Sequence, residues 1–327
     1  MSFLSVLADL LKPAAPPDPE VSAATERVIA MVDPMVRAAP GLAHHLVHAV
    51  SHALGYCEGL VAALPGPIEI NRQAFGRDPL VHALFATAAD IDAMLGRSEA
   101  VQQFLERPEC WAMDYFHALL AARRQQKRQF GLAQQGDVIR SDVPQEILYF
   151  SDQTLIEPCC DEARTRARLR AKALESLLTT FNAHVADLRL ARDSLRADAW
   201  NEHQQLAHWV STAPDPAPRQ RRVAELDQQL QENANALMPE HLAEALIDFL
   251  NHPEAALSLT PIHIRVDRLG IVHPEASSDP QIQTLSFPEL STRDRRQHLA
   301  TLVRISREEA LAAVAAARDH QKRYILI

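Results

Sequence analysis

The sequence predicts a mainly α fold: a multi-helical protein with a long antiparallel coiled-coil arm, a short β-hairpin wing and a small C-terminal α+β unit. Three observations predict it. Glycine is scarce, 9 in 327 residues, while alanine, leucine, glutamine and arginine abound, and those side chains lose little freedom in a helix. An apolar stripe at three- and four-residue spacing runs from Leu174 to Trp209. After Pro261 the texture changes to the alternation of a half-buried strand.

Residues 1–20 read as an N-terminal amphipathic segment, with Phe3, Leu4, Leu7, Leu10 and Leu11 on one helical face, followed by the stiff linker PAAPPDP. Residues 21–96 read as a domain of short helices. Pro34 and Pro40 mark breaks and LPGP (64–67) ends a longer helix. Asp78 before Pro79 is an N-cap followed by proline at the first helical position, and Thr87 with Asp90 forms a capping box.

Residues 97–240 read as the coiled-coil arm. A helix over 98–133, divided at Pro108, aligns Trp111, Tyr115, Leu119 and Ala122. Periodicity then stops, and 136–158 reads as a β-hairpin wing built around the strand formers Ile147 to Phe150. Beyond the wing, Leu174, Phe181, Leu188, Leu195, Glu202 and Trp209 interleave with Leu178, Val185, Arg192, Ala199 and Leu206. That is about five heptads of seam, which predicts one helix of about 50 residues. STAPDPAP (211–218) reverses the chain, and Val223, Leu226, Leu230 and Leu237 make the next helix the antiparallel partner of the seam's second half. The 98–133 helix is the expected partner of the first half.

Residues 241–327 read as the small α+β unit. Ile262, Ile264 and Val266 alternate with polar residues, TLSF and HLATLVRI continue as strands, and Ser306 with Glu309 opens a closing helix over 307–322.

Chemistry is harder to find. No glycine precedes a lysine, and G-x-G-x-x-G, G-x-S-x-G, H-E-x-x-H and Glu-x-x-His are all absent. His44, His48 and His52 recur at i,i+4 opposite the apolar stripe of their helix, which makes them the candidate metal ligands. His44 and His52 stand about 12 Å apart along the axis, so one ion could take only a pair and would need further ligands, with His82, His117 and Glu58 available in type. A helix-packing or exposed role competes, since Gly55 and Gly59 on the same face allow close approach of another helix.

Arg123, Arg124, Lys127 and Arg128 before the wing, with Arg164 and Arg168 after it, are the candidate polyanion-binding residues. Overall charge weighs against nucleic acid, being −9 at neutral pH. The acidic set Asp137, Asp142, Glu146, Asp152 and Glu157 reads as a solvated loop before it reads as a cation site. Four cysteines without framework spacing read as reduced thiols, the vicinal pair Cys159–Cys160 included. No apolar run reaches the roughly 18 residues that span a bilayer, and the first residues lack a basic signal-peptide start, so a cytoplasmic protein is expected. No catalytic residue or cofactor is implied, and the balance falls against an enzyme. The leading expectation is a structural or adaptor protein that binds protein partners or itself. A metal protein or enzyme using the histidine helix comes second, and polyanion binding by the wing third.

Overall fold

The computed structural model describes residues 18–135, 138–209, 217–274, 281–293 and 297–325. The expected amphipathic segment at 1–12 and the start of the reversal at 211–216 lie outside the described residues. In chain order the helices are α1 (Pro19–Met31), α2 (Pro34–Arg37), α3 (Leu42–Ala62), α4 (Arg72–Arg77), α5 (Pro79–Leu84), α6 (Ala88–Arg97), α7 (Glu99–Leu105), α8 (Glu162–Trp209), α9 (Ala217–Ala236), α10 (Pro239–Asn251) and α11 (Arg307–Ile325). The strands are β1 (Ile68–Glu69), β2 (Tyr115–Gln135), β3 (Val138–Cys159), β4 (Leu257–Val266), β5 (Gln283–Thr292) and β6 (Gln297–Ser306). The chain divides into two compact units. One holds the described residues up to Gly55 together with Leu174–Pro253, and the other holds Tyr56–Ala173 together with the residues from Glu254 onward.

The first unit is helical. Asp18 and Asp33 each precede a proline and accept a backbone N–H with their side chains, which starts α1 and α2. Leu174, Leu178, Phe181, Val185 and Ala199 of the α8 seam are buried, as are Val223 and Leu226 of α9. Glu202 of α8 faces Arg219 near the start of α9 at 3.6 Å, while Arg192 and Arg196, earlier in α8, line one small cavity with Leu230 and Ala234, later in α9, so the two helices run antiparallel. Asn182 of α8 ties down the α1–α2 junction: its Nδ2 donates to the Met31 carbonyl at 3.0 Å, and its Oδ1 accepts the Asp33 N–H at 3.0 Å. Arg189 then grips the Asp33 carboxylate with two bonds of 2.7 Å. Phe181 packs on Phe249 of α10 with ring centres 5.6 Å apart.

The second unit overturns the mainly α expectation. Its centre is a six-stranded sheet of order β3-β2-β6-β5-β4, antiparallel except that β1 joins β6 in parallel. The segment expected as a helix over 98–133 is α-helical only as far as Leu105, makes a single 3-10 turn at Pro108–Cys110, and from Tyr115 is strand. Residues 136–158 are no separate wing, since they supply most of β3, which pairs with β2 along its whole length. The C-terminal strands form no separate α+β unit, since β6 pairs directly with β2 from Tyr115↔Ser306 to Arg123↔His298. The start of α8 has no coiled-coil partner in 98–133. Its Leu169 instead packs with Leu119, Ala300 and Leu302 of the sheet and with Val61 and Leu64.

The physical reason lies in two overlapping patterns. Trp111, Tyr115, Leu119 and Ala122 fit a helix, but Phe116, Ala118, Leu120 and Ala122 fit a strand. Those four are fully buried on one face, while Trp111 and Tyr115 are exposed and Leu119 packs on the opposite face. Ala, Leu, Gln and Arg give β2 a helical preference worth only tenths of a kcal/mol per residue. A ladder to two neighbouring strands and a buried face outweigh it. Helices α5, α6, α7 and α11 cover that face through Val81, Leu84, Ile91, Leu95, Val101, Phe104, Ala310 and Val314.

Strand β3 carries one more device. Its register against β2 slips at three places, between His117 and Leu119, Ala121 and Arg123, and Gly131 and Ala133. Opposite those places stand Glu157, Asp152 and Asp142, the three non-glycine residues with positive φ among the described residues (51°, 55° and 63°). Each slip is therefore a β-bulge with an acidic residue in the left-handed conformation, which Asp tolerates better than branched residues do. Three of the five acids read as a loop, Asp142, Asp152 and Glu157, thus supply the bends of a long strand, while Glu146 pairs regularly within it and Asp137 lies outside the described residues.

Candidate functional site

Beyond Arg123, β2 leaves β6, while its pairing with β3 continues to Gln135↔Val138. The two strands then form a ribbon. Its base is braced where Leu148 N–H donates to the Gly270 carbonyl and Val272 N–H to the Glu146 carbonyl, both at 2.8 Å. From there to the tip no third strand pairs with it among the described residues. The unbraced stretch of about seven residues per strand spans roughly 20 Å.

Alternation along β2 puts Arg124, Arg128, Phe130 and Leu132 on one face of the ribbon and Arg123 and Lys127 on the other. Phe130 is 74% exposed and Leu132 68%, high values for large apolar side chains. Phe130 stands opposite Pro144 in the register, and Arg128 opposite Glu146. The tip has its own fastening. Gln145 Nε2 reaches across Gly131 to donate to the Leu132 carbonyl at 2.9 Å. A Cβ at position 131 would lie 2.0 Å from the Gln145 Oε1, so glycine leaves the room this crossing uses.

The six candidate polyanion residues do not form one patch. Arg124 turns into the sheet, where its Nε lies 2.5 Å from Glu289 Oε1 and its Nη2 donates to Gln297 at 2.7 Å. Arg164 faces Asp161 at 3.3 Å and Arg168 faces Glu157 at 3.8 Å. Arg123, Lys127 and Arg128 remain exposed on the ribbon.

On α3, His44, His48 and His52 are all exposed, and His52 Nδ1 lies 3.4 Å from the Leu250 carbonyl. Among the described residues no three His, Cys, Asp or Glu side chains gather as metal ligands. Gly55 and Gly59 face open space, so the close helix approach that their spacing would allow is not used. His117 sits on β2 with its Nδ1 buried and unpartnered, and burial pushes its pKa down. Burial also raises the Cys57 and Cys110 thiols to about 11, and Cys110 spends its proton on the Phe104 carbonyl at 2.9 Å. Such thiols are poor nucleophiles at neutral pH.

One concave feature was not legible in the sequence. A pocket of about 510 Å³ opens between the α4–α5 corner, the turn Asp267–Gly270 and the start of β5. Residues scattered over more than 200 positions meet there, and no local motif announces them.

No family model, curated protein or solved structure matches this chain. The described residues contain no helix long and apolar enough to cross a membrane.

Proposed function

We propose that this chain is a docking protein that engages a protein partner through the tip of the β2–β3 ribbon. The observation that carries this reading is the exposure of Phe130 and Leu132 on a two-stranded ribbon that continues past its sheet. Large apolar side chains gathered on a projecting element lose free energy to water until a partner covers them. Aromatic and arginine side chains are the types that anchor protein interfaces, and Phe130 shares its face with Arg128. A protein is favoured over a polyanion because carboxylates already occupy Arg124, Arg164 and Arg168. Pro144 supports the reading too, since a missing N–H on an edge strand discourages indiscriminate strand pairing and leaves recognition to side chains.

The test is site-specific photo-crosslinking of the full chain in its source cells. A crosslinker in place of Phe130 is expected to give a discrete adduct that Arg128→Glu with Leu132→Ser removes. A crosslinker in place of Leu190, which is 69% exposed on α8, serves as the control. The same adducts from both positions, or none from position 130, would defeat the proposal.

A further inference from the structure

We propose that the pocket beside α5 binds an amphiphilic anion, an apolar chain or ring bearing a single carboxylate-type head, and that Arg77 and Arg268 receive the head. This goes beyond the ribbon reading and uses none of the tip residues that carry it, although Leu148 and Gly270, which brace the ribbon's base, also line the pocket.

The floor comes first. Phe85, Leu148, Val266 and Leu285 line the pocket from four different segments, and all four are buried members of the main core. The pocket's lining is therefore mixed, with this apolar patch at its floor and polar groups around it. At about 510 Å³, it lies within the usual range of small-molecule sites, roughly 300–1,000 Å³. Leu269, 77% exposed at the lip, extends the apolar surface to the mouth, where a ligand's chain would cover it.

The rim then decides the charge. Two carboxylates and two guanidiniums line it, so its formal charge is balanced, and the partners of each group decide which of them can turn to a ligand. Asp78 Oδ1 accepts the N–H groups of Leu80 and Val81 at 2.8 and 3.2 Å. Asp267 Oδ1 accepts those of Leu269 and Ile271 at 2.9 and 3.0 Å, and its Oδ2 lies 3.2 Å from His273 Nε2. Both acids are thus committed to building the two turns that frame the mouth. Arg77 and Arg268 are exposed and border the same space. His82 Nδ1 lies 3.3 Å from the Phe75 carbonyl, and its ring rests on Phe75 at 4.7 Å, which fixes the imidazole as one wall. An apolar patch lies under a rim whose two guanidiniums make no ion pair among the described residues, Arg77 meeting the neutral Gln73 amide at 2.9 Å. That arrangement fits a ligand with an apolar body and an anionic end.

Isothermal titration of the full chain with decanoate, and separately with decanol, tests this. Decanoate is expected to bind saturably and about tenfold more tightly than decanol, the margin a charge-assisted hydrogen bond supplies. Arg77→Gln with Arg268→Gln should erase that margin and leave decanol binding unchanged. Ala86→Trp, at an exposed lining position, should weaken both ligands by filling the mouth. Circular dichroism establishes that each variant is folded. Absence of saturable decanoate binding, equal affinity for decanoate and decanol, or a margin that survives the double substitution would each overturn the assignment. None of these outcomes bears on the ribbon, whose crosslinking test stands apart.

Discussion

Arg124 of β2 and Glu289 of β5 meet with their side chains only 14% and 5% exposed. The two strands are not neighbours, since β6 lies between them in the sheet order. Nε and Oε1 stand 2.5 Å apart without hydrogen-bond alignment, and the aligned contact runs from Nη2 to Oε2 at 3.4 Å. Removing one partner leaves a charge in a dry place, which typically costs about 3–5 kcal/mol. Arg124→Met is therefore expected to lower unfolding stability by about that amount in denaturant titration. Arg124→Met with Glu289→Leu should recover most of the loss. A double variant as unstable as the single one would mean the pair itself contributes strongly.

Asp33 gives the first unit a pH dependence. Burial works to raise its carboxyl pKa, but the Arg189 guanidinium and the Met35 N–H outweigh it, and the net shift is downward. A carboxylate depressed in the folded state contributes stability that is present above its unfolded value, about 4. That contribution is lost as pH falls through the folded value. Asp33→Asn keeps an oxygen to cap α2 and removes the charge. Thermal melts should show wild type above Asp33→Asn at pH 7, with the gap closing below about pH 4. A gap that stays constant across that range would refute the role of Arg189.

The cysteines should behave as core residues. With pKa values near 11 for Cys57 and Cys110, about one thiol in a thousand is ionised at pH 8. Cys160, half-buried, is the most accessible of the four, and its thiol is also raised by burial and by Glu109. Titration with a thiol reagent at pH 8 should label Cys160 first and slowly, and the other three only on adding denaturant. Rapid native labelling of Cys110 would contradict the burial described for it.

These sites show which features the sequence carried openly. The α8 seam was legible because Leu174, Leu178, Phe181 and Val185 recur at alternating spacings of four and three in a stripe broken only by Arg192 and Glu202, and nothing but a helix keeps such residues on one side. Strand β2 was hidden because Phe116, Ala118, Leu120 and Ala122 sit among strong helix formers, and Arg124 continues their face with a charge that only Glu289, 165 residues away, explains. Strand β3 was partly visible at Ile147 to Phe150. Its bulges at Asp142, Asp152 and Glu157 break the alternation that identifies a strand. The arginines before the wing could be found by composition, but composition could not sort Arg124 from Arg128. The pocket depends on Arg77 and Arg268 lining the same opening from distant parts of the chain, and that is a property of topology alone.

The turn that frames that pocket is closed by Gly270. Gly270 has φ of +79°, and a Cβ there would lie 2.7 Å from the Leu148 carbonyl oxygen. Its own carbonyl accepts the Leu148 N–H at 2.8 Å, next to the Ile147↔Ile271 bridge. Alanine at this position meets both penalties, the left-handed backbone and a contact with main-chain atoms that cannot rotate aside. Gly270→Ala should therefore cost about 1–3 kcal/mol, and amide exchange at Leu148 and Val272 should rise before that of β2 or β6. Leu269→Ala, one residue away with an exposed side chain, should leave stability within about 0.5 kcal/mol of wild type. Unchanged exchange at Leu148 in Gly270→Ala would show that the turn does not hold β3, and the frame proposed for the pocket would then need another support.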